Sequence, residues 1–400
     1  MTDKLAIDGG KPVRDTFLAF GIPCLGEEES NEMLNTLQSG WIGTGPKTKR
    51  FEEMLAAYVG APLAVTVNSC TAGLFLSLLV SGIGPGDEVI TTSMTFGATA
   101  NAIIHCGARP VFADIDPVTL NIDPANIERV ITSRTRAILP VHFGGLACDM
   151  DAIHGIANAH KLAVIEDAAH AIGTRYRGRM IGGMGNLTSF SFYPNKNMTT
   201  GEGGAIIVDD PALAEQLQAY RLHGLNKHAW QRYTSHRLML SDVVVPGYKF
   251  NMTDMQASLG IHQLNKLESF LEIRTKYARL YDEVFANWDG IRLQLRPENA
   301  EDRHALHLYT LIISPERFKV SRNQIIDAIL AENIGAALHY RALHTHPYYV
   351  RTFGYKPEDY PHALTVGESI FSLPLSPKMT DKDVEDVITA VSRVLKAFQR

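Results

Sequence analysis

The 400-residue sequence predicts an α/β protein: a large domain on a mostly parallel seven-stranded sheet flanked by helices, then a smaller α/β C-terminal domain. Three observations carry this. From about residue 60 to 210, short β-rich apolar runs alternate with helical patterns. The runs are apolar on both faces, as strands are when helices cover both sides of a parallel sheet. After Pro211 the alternation gives way to helix-rich sequence.

In chain order the strands are "AVTV" (64–67), "EVITT" (88–92), "RPVFADI" (109–115), "AILPVHF" (137–143), "LAVIED" (162–167), "TSFSFY" (188–193) and "AIIVDD" (205–210). Helical stretches such as "TAGLFLSLLV" and "MDAIHGIANAHK" separate the first five. A long amphipathic helix is expected from about Thr253 to Trp288, then strands near "HLYTLIIS" and "AALHYR", and a final helix "DKDVEDVITAVSRVLKAF". The expected division is an N-terminal arm (1–30), a large domain (31–269) and a small C-terminal domain (270–400). Ligands of such sheets sit outside the carboxyl ends of the strands.

Composition narrows the class. With 38 basic and 43 acidic residues the formal charge is -5, which provides no positive field for nucleic acid or anionic lipid. The N-terminus lacks the apolar core of a secretory signal, and the apolar runs are too short to span a bilayer. Cys24, Cys70, Cys106 and Cys148 have no paired spacing and read as reduced thiols, so a cytoplasmic protein is expected.

Three stretches carry chemistry. "LAVIEDAAHAIG" ends a buried strand with Glu166 and Asp167, costly there unless paired or hydrogen-bonded. Asp167 could simply accept backbone N–H groups of the next turn. It could also be the metal aspartate of a nucleotide hydrolase, but the G-x-x-x-x-G-K-[ST] loop is missing. "TVNSCTAGLFLSLLV" is a strand, the small residues Ser69 to Ala72, and a helix whose N-terminus suits a phosphate; a plain N-cap reads equally well. "SFSFYPNKNMTTGEGGAIIV" places one lysine, Lys196, between an aromatic strand and a glycine-laden turn. A lysine among apolar groups has a lowered amine pKa, which suits Schiff-base formation.

Together these supply what pyridoxal 5'-phosphate requires: an amine for its aldehyde, a carboxylate for its pyridine nitrogen and a cradle for its phosphate. A dinucleotide site fares worse, since the glycine run "GIGPGDEV" precedes a strand instead of following one. A metal site at His339, His344 and His346 lacks matching carboxylates or cysteines. "TRYRGRM" (174–180) reads as a solvated turn, and the basic, aromatic "HGLNKHAWQRYTSHR" (223–237) as a loop that could touch a phosphorylated substrate.

With those residues in view, "SFSFYPNKNMTTGEGG", "EDAAHAIG", "NSCTAGL" and "SGWIGTGPKTKRFE" resemble the DegT/DnrJ/EryC1/StrS family of sugar aminotransferases. The likeness continues through "TTSMTFGATANAI", "GYKFNMTDMQASLG" and "FSLPLSPKMTDKDVEDVITAV", nearly the whole chain. It implies a fold-type I pyridoxal phosphate transferase, a homodimer with shared active sites. Lys196 resembles the Schiff-base lysine, Asp167 the pyridinium partner, and Phe96 the aromatic on the ring face. His170, where many members have Gln, would approach the cofactor's phenolic oxygen. Ser191 and the backbone at Thr71 and Ala72 match the phosphate contacts. Lys249 stands where many relatives have an Asn reaching the neighbouring subunit's phosphate, and His339 resembles a histidine near the substrate. Relatives with histidine in place of Lys196 dehydrate sugars, so the lysine favours transamination. "PGYKFNMTD" and "LHYRALHTHPYY" resemble enzymes that aminate 4-keto sugars. The expected substrates are a nucleotide-linked keto-sugar and an amino-acid donor, glutamate. "LAIDGGKPVR" points instead to a keto-cyclitol, and a catalytically idle relative is the reading from another class.

Overall fold

The computed structural model describes residues 4–225 and 241–400. Its main sheet contains β1 (Leu63–Val67), β2 (Glu88–Thr92), β3 (Arg109–Ala113), β4 (Thr135–Leu139), β5 (Ala163–Asp167), β8 (Leu187–Ser191) and β9 (Gly204–Val208). The spatial order is β1-β9-β8-β5-β4-β2-β3, and β9 pairs antiparallel with both of its neighbours. The pairs from β8 across to β3 are parallel. All seven expected strands are therefore present in one mostly parallel sheet. The intervening β6 (Arg175–Tyr176) and β7 (Arg179–Met180) form a small hairpin, turned at Arg177 and Gly178 with φ of 48° and 78°. That hairpin is the turn expected at "TRYRGRM".

Strand alternation builds two cores from one sheet. Ile206 and Val208 pack with Val65, Val67 and Leu74 on one face. Ala205 and Ile207 face the other way, onto Phe51, Phe190 and Ile261. Helices Cys70–Val80, Gly97–His105, Pro124–Val130 and Met150–His160 make the crossovers among the first five strands.

The Asp254–Phe285 helix opens on a reciprocal cap: Thr253 Oγ1 accepts from Gln256 N–H, and Gln256 Oε1 accepts from Thr253 N–H. Ile261, Leu264, Leu267 and Leu271 belong to the core around Phe51, whereas Tyr277, Tyr281 and Phe285 belong to another. That second core lies beneath an antiparallel sheet of β10 (Ile291–Leu293), β11 (Tyr309–Ile313) and β12 (Ile370–Leu373). The Asp381–Phe398 helix adds Val384, Val387, Val391 and Val394 at helical spacing. Leu5 and Leu18 join the same core, and the Glu332 carboxylate accepts from Ala6 N–H and Val13 N–H.

One expected strand is absent. Residues 336–341 make a single bridge, Ala337 to Ser372, and the third strand of the small sheet is β12 instead.

Candidate active site

The carboxyl ends of β5 and β8 and the start of the Cys70–Val80 helix surround a cavity of about 550 Å³. Thr71, Phe96, Asp167, His170, Ser191, Lys196 and His339 all line it. Seven residues spread over 269 positions of sequence thus meet in one place.

Asp167 and its neighbour Glu166 point to opposite faces of β5, as strand geometry requires. Glu166 is fully buried and accepts from Asn186 Nδ2 and Thr188 Oγ1 at 2.8 and 2.9 Å, with His142 Nε2 at 2.8 Å. His142 is held from two sides, its Nδ1 against Cys148 N–H and its Nε2 against Glu166. Asp167 faces the cavity. Its Oδ2 accepts from Thr99 Oγ1 at 2.7 Å, its Oδ1 from Ala169 N–H at 3.1 Å, and Thr99 Oγ1 lies 2.7 Å from Thr95 Oγ1. Burial raises the Asp167 pKa, against the lowering effects of Thr99, Ala169, Lys196 and His142. The turn reading is therefore partly right, since one carboxylate oxygen does accept the Ala169 N–H.

Lys196 sits in the connection between β8 and β9. Its backbone N–H is held by Tyr193 O, and Thr200 N–H closes back on Phe192 O. Burial lowers the amine pKa to about 8, opposed by Cys70 and Asp167. The glycines of this connection have distinct reasons. Gly201 adopts φ +80°, and a Cβ on Gly204 would meet Cys70 N at 2.6 Å and Ser69 C at 2.7 Å. Only a bare backbone lets β9 pass this close to the helix start.

At that helix start Ser69 Oγ accepts from Ala72 N–H at 3.2 Å, so the N-cap reading holds for Ala72. Thr71 and Ser191 line the cavity beside it. Phe96 is 65% exposed at the rim, 6.1 Å from the Tyr340 ring, and so is no core residue. His170 Nδ1 accepts from Gly144 N–H, and its Nε2 lies 3.1 Å from Tyr340 Oη. His339 Nδ1 lies 2.9 Å from Ser372 Oγ, and burial, then repulsion from Lys196, lowers its pKa to about 4. Lys249 does not line this cavity; its carbonyl accepts from Asn68 Nδ2. The three histidines considered for metal diverge, with His344 on Ser93 and Pro357 O, and His346 on Arg341 O. Of the loop 223–237, residues 226–237 lie outside the described residues.

Sequence reasoning missed Thr99, Tyr340 and His307. Thr99 lies one turn beyond Phe96 on the same helix, and Tyr340 adjoins His339, so both were within reach of helical spacing and adjacency. His307 carried no such signal.

The sequence profile of the DegT/DnrJ/EryC1/StrS aminotransferase family matches residues 23–392. The chain belongs to that family. It is 50% identical over 385 residues to the spore coat polysaccharide biosynthesis protein SpsC of Bacillus subtilis, covering 96% of this chain and 98% of SpsC. The solved PLP form of the putative sugar aminotransferase Spr1654 from Streptococcus pneumoniae superposes with TM-score 0.87 at 34% identity, covering 96% of this chain and all of that one (100%). DesI, solved in the presence of its TDP-sugar product, gives TM-score 0.87 at 28% identity over 99% of this chain and 97% of its own. The protein is thus a pyridoxal phosphate-dependent sugar aminotransferase. The residues present fit the cofactor: Asp167 is a buried carboxylate whose charge lacks a full counter-ion, and Lys196 is an amine made nucleophilic by burial.

Proposed function

We propose that this aminotransferase moves an amino group from glutamate to the keto group of a nucleotide-linked 4-keto sugar. The observation that carries the reading is that Lys196 and Asp167 line one cavity together with the start of the Cys70–Val80 helix. The motifs "PGYKFNMTD" and "LHYRALHTHPYY" support the 4-keto position. That the related DesI was solved with a TDP-sugar product supports the nucleotide.

Bound pyridoxal phosphate supplies an aldehyde that carries the amino group and a ring that withdraws electrons. Lys196 would tether it through Nζ. Asp167 would keep the proton on the ring nitrogen, and the Thr99 hydroxyl would keep Asp167 in place. Thr71 and Ser191 would hold the phosphate at the positive end of the helix, where the expected Ala72 N–H is already taken by Ser69 Oγ. Phe96 would cover the ring face, and His170 would lie toward the phenolic oxygen. An amine titrating at about 8 can both take and return a proton near neutrality. Lys196 Nζ would therefore remove the α-proton of the amino-acid donor. His339 would contact the sugar.

The same reading takes residues 31–269 as the cofactor-binding domain, 270–400 as the smaller one and 1–30 as an arm; the change of core along the Asp254–Phe285 helix supports this. It also takes the enzyme as a homodimer in which Lys249 serves the neighbouring chain's phosphate. Glutamate-coupled assays with a TDP- or UDP-linked 4-keto sugar and with scyllo-inosose test the substrate. Amination of the nucleotide sugar is expected; amination of the cyclitol alone overturns the proposal.

A further inference from the structure

Beside Lys196 lies a ring that none of the motifs assigns. His307, on the segment leading into β11, is buried, with its Nε2 3.4 Å from Lys196 Nζ. Its ring centroid is 4.4 Å from that of His170, at an interplanar angle of 39°. Its other nitrogen, Nδ1, is buried with no hydrogen-bond partner. The ionisable groups around the pair are Cys70 and Asp167 toward Lys196, Arg274 toward His307, and His170 and His339 toward both.

Those surroundings decide which way the hydrogen bond runs. Burial first, then the cations Lys196 and Arg274 and the rings of His170 and His339, keep His307 neutral. A neutral imidazole has one N–H and one lone pair, while an ammonium can only donate. His170 offers Lys196 no acceptor, because its Nδ1 is occupied by Gly144 N–H and its Nε2 faces Tyr340 Oη. The lone pair facing the amine is that of His307 Nε2.

We propose that His307 is a positioning residue for Lys196, its Nε2 accepting from Nζ so that the amine is held in the cavity and its protonated form is favoured. This rests on the assignment of Lys196 made above. An acceptor at this point opposes part of the burial that drives the amine toward neutrality, which leaves the lysine able to hold a proton as well as release one.

The test measures Lys196 directly, in the full-length protein freed of cofactor. Competitive acetylation with acetic anhydride across pH, read by peptide mass spectrometry, gives the titration of its amine. Wild type should titrate at about 8. His307→Phe, which fills the space without an acceptor, should lower that value by about one pH unit, the effect of one hydrogen bond to a charged group. His307→Gln, which restores an acceptor oxygen, should return it to the wild-type value. An unshifted Phe variant, or a Gln variant shifted as far as Phe, overturns the proposal; should Phe fail to fold, as judged by circular dichroism, His307→Leu, which likewise lacks an acceptor, is read in its place. Borohydride reduction of the wild-type holoenzyme separates the two claims. Cofactor fixed on Lys196 with no effect of His307 removes this inference alone, whereas cofactor fixed elsewhere removes the assignment beneath it.

Discussion

Asp167 and Lys196 are displaced in opposite directions by the same cause. Burial disfavours the charged form of each, raising the carboxyl and lowering the amine, and their mutual attraction offsets only part of it. The cofactor-free site is therefore strained electrostatically, and this has a measurable sign. Folded Lys196 titrates at about 8 instead of the ordinary 10.5, so the folded chain binds fewer protons than the unfolded one between those values. Stability falls as pH drops through that window and stays lowered below it. Lys196→Met should then stabilise the cofactor-free protein by about 3 kcal/mol at pH 7, with the gain shrinking toward pH 10.5 in thermal or urea unfolding. A gain independent of pH would contradict it. At this scale the sequence was legible where a residue had no ordinary reason to be present. A lysine among aromatics and glycines stands out; Thr99 in a helix and His307 before a strand do not, because both types commonly serve packing there. Phe96 shows the converse, since an aromatic by itself reads as core and this one is exposed.

The strand β5 does two jobs by alternation. Glu166 ties the sheet together through His142, Asn186 and Thr188, while Asp167 one residue later serves the cavity. Two near-isosteric changes should separate these tasks. Glu166→Gln must turn its NH₂ toward a neighbouring donor, and should cost about 1–3 kcal/mol of unfolding free energy while leaving cofactor affinity near wild type. Asp167→Asn should leave stability within about 1 kcal/mol of wild type, yet lower kcat by about 10²–10⁴-fold and change the absorption of the bound cofactor. Spectroscopic titration and denaturant melts of both variants check this, and equal effects on both properties would contradict it. The elements themselves were read well, because apolar runs between helical stretches leave few arrangements. Four of the seven strand ends were read late, as at β4, which stops at Leu139 while Val141 and Phe143 continue the apolar pattern; those of β1, β2 and β5 fall where expected. The strand expected at "AALHYR" failed for a different reason: that segment runs beside β12 with only one bridge, and β12 directly follows the Pro361–Ser369 helix, which hides four buried strand residues at its end.

At the scale of the molecule, one helix belongs to two cores. Asp254–Phe285 packs its first half under the main sheet and its second half under the small one, and the N-terminal segment is fastened to the second core through Glu332 and through Arg14 on Asp383 and Asp386. The proposed shared-site homodimer adds a test on whole chains. Lys196→Ala and Lys249→Ala proteins, each poorly active alone, should regain activity when mixed and allowed to exchange subunits, because one hybrid site would carry both lysines. Mixing without recovery would place Lys249 outside the neighbouring site. The proposed pairing of subunits rests on resemblance alone, since a single chain's pattern does not distinguish a face that meets water from one that meets a copy. The most direct measurement remains chemical. Reducing the yellow holoenzyme with borohydride and sequencing its labelled peptide by mass spectrometry should find the cofactor on the lysine of "SFSFYPNKNMTTGEGG", Lys196. A label on any other residue, or none, would contradict the account.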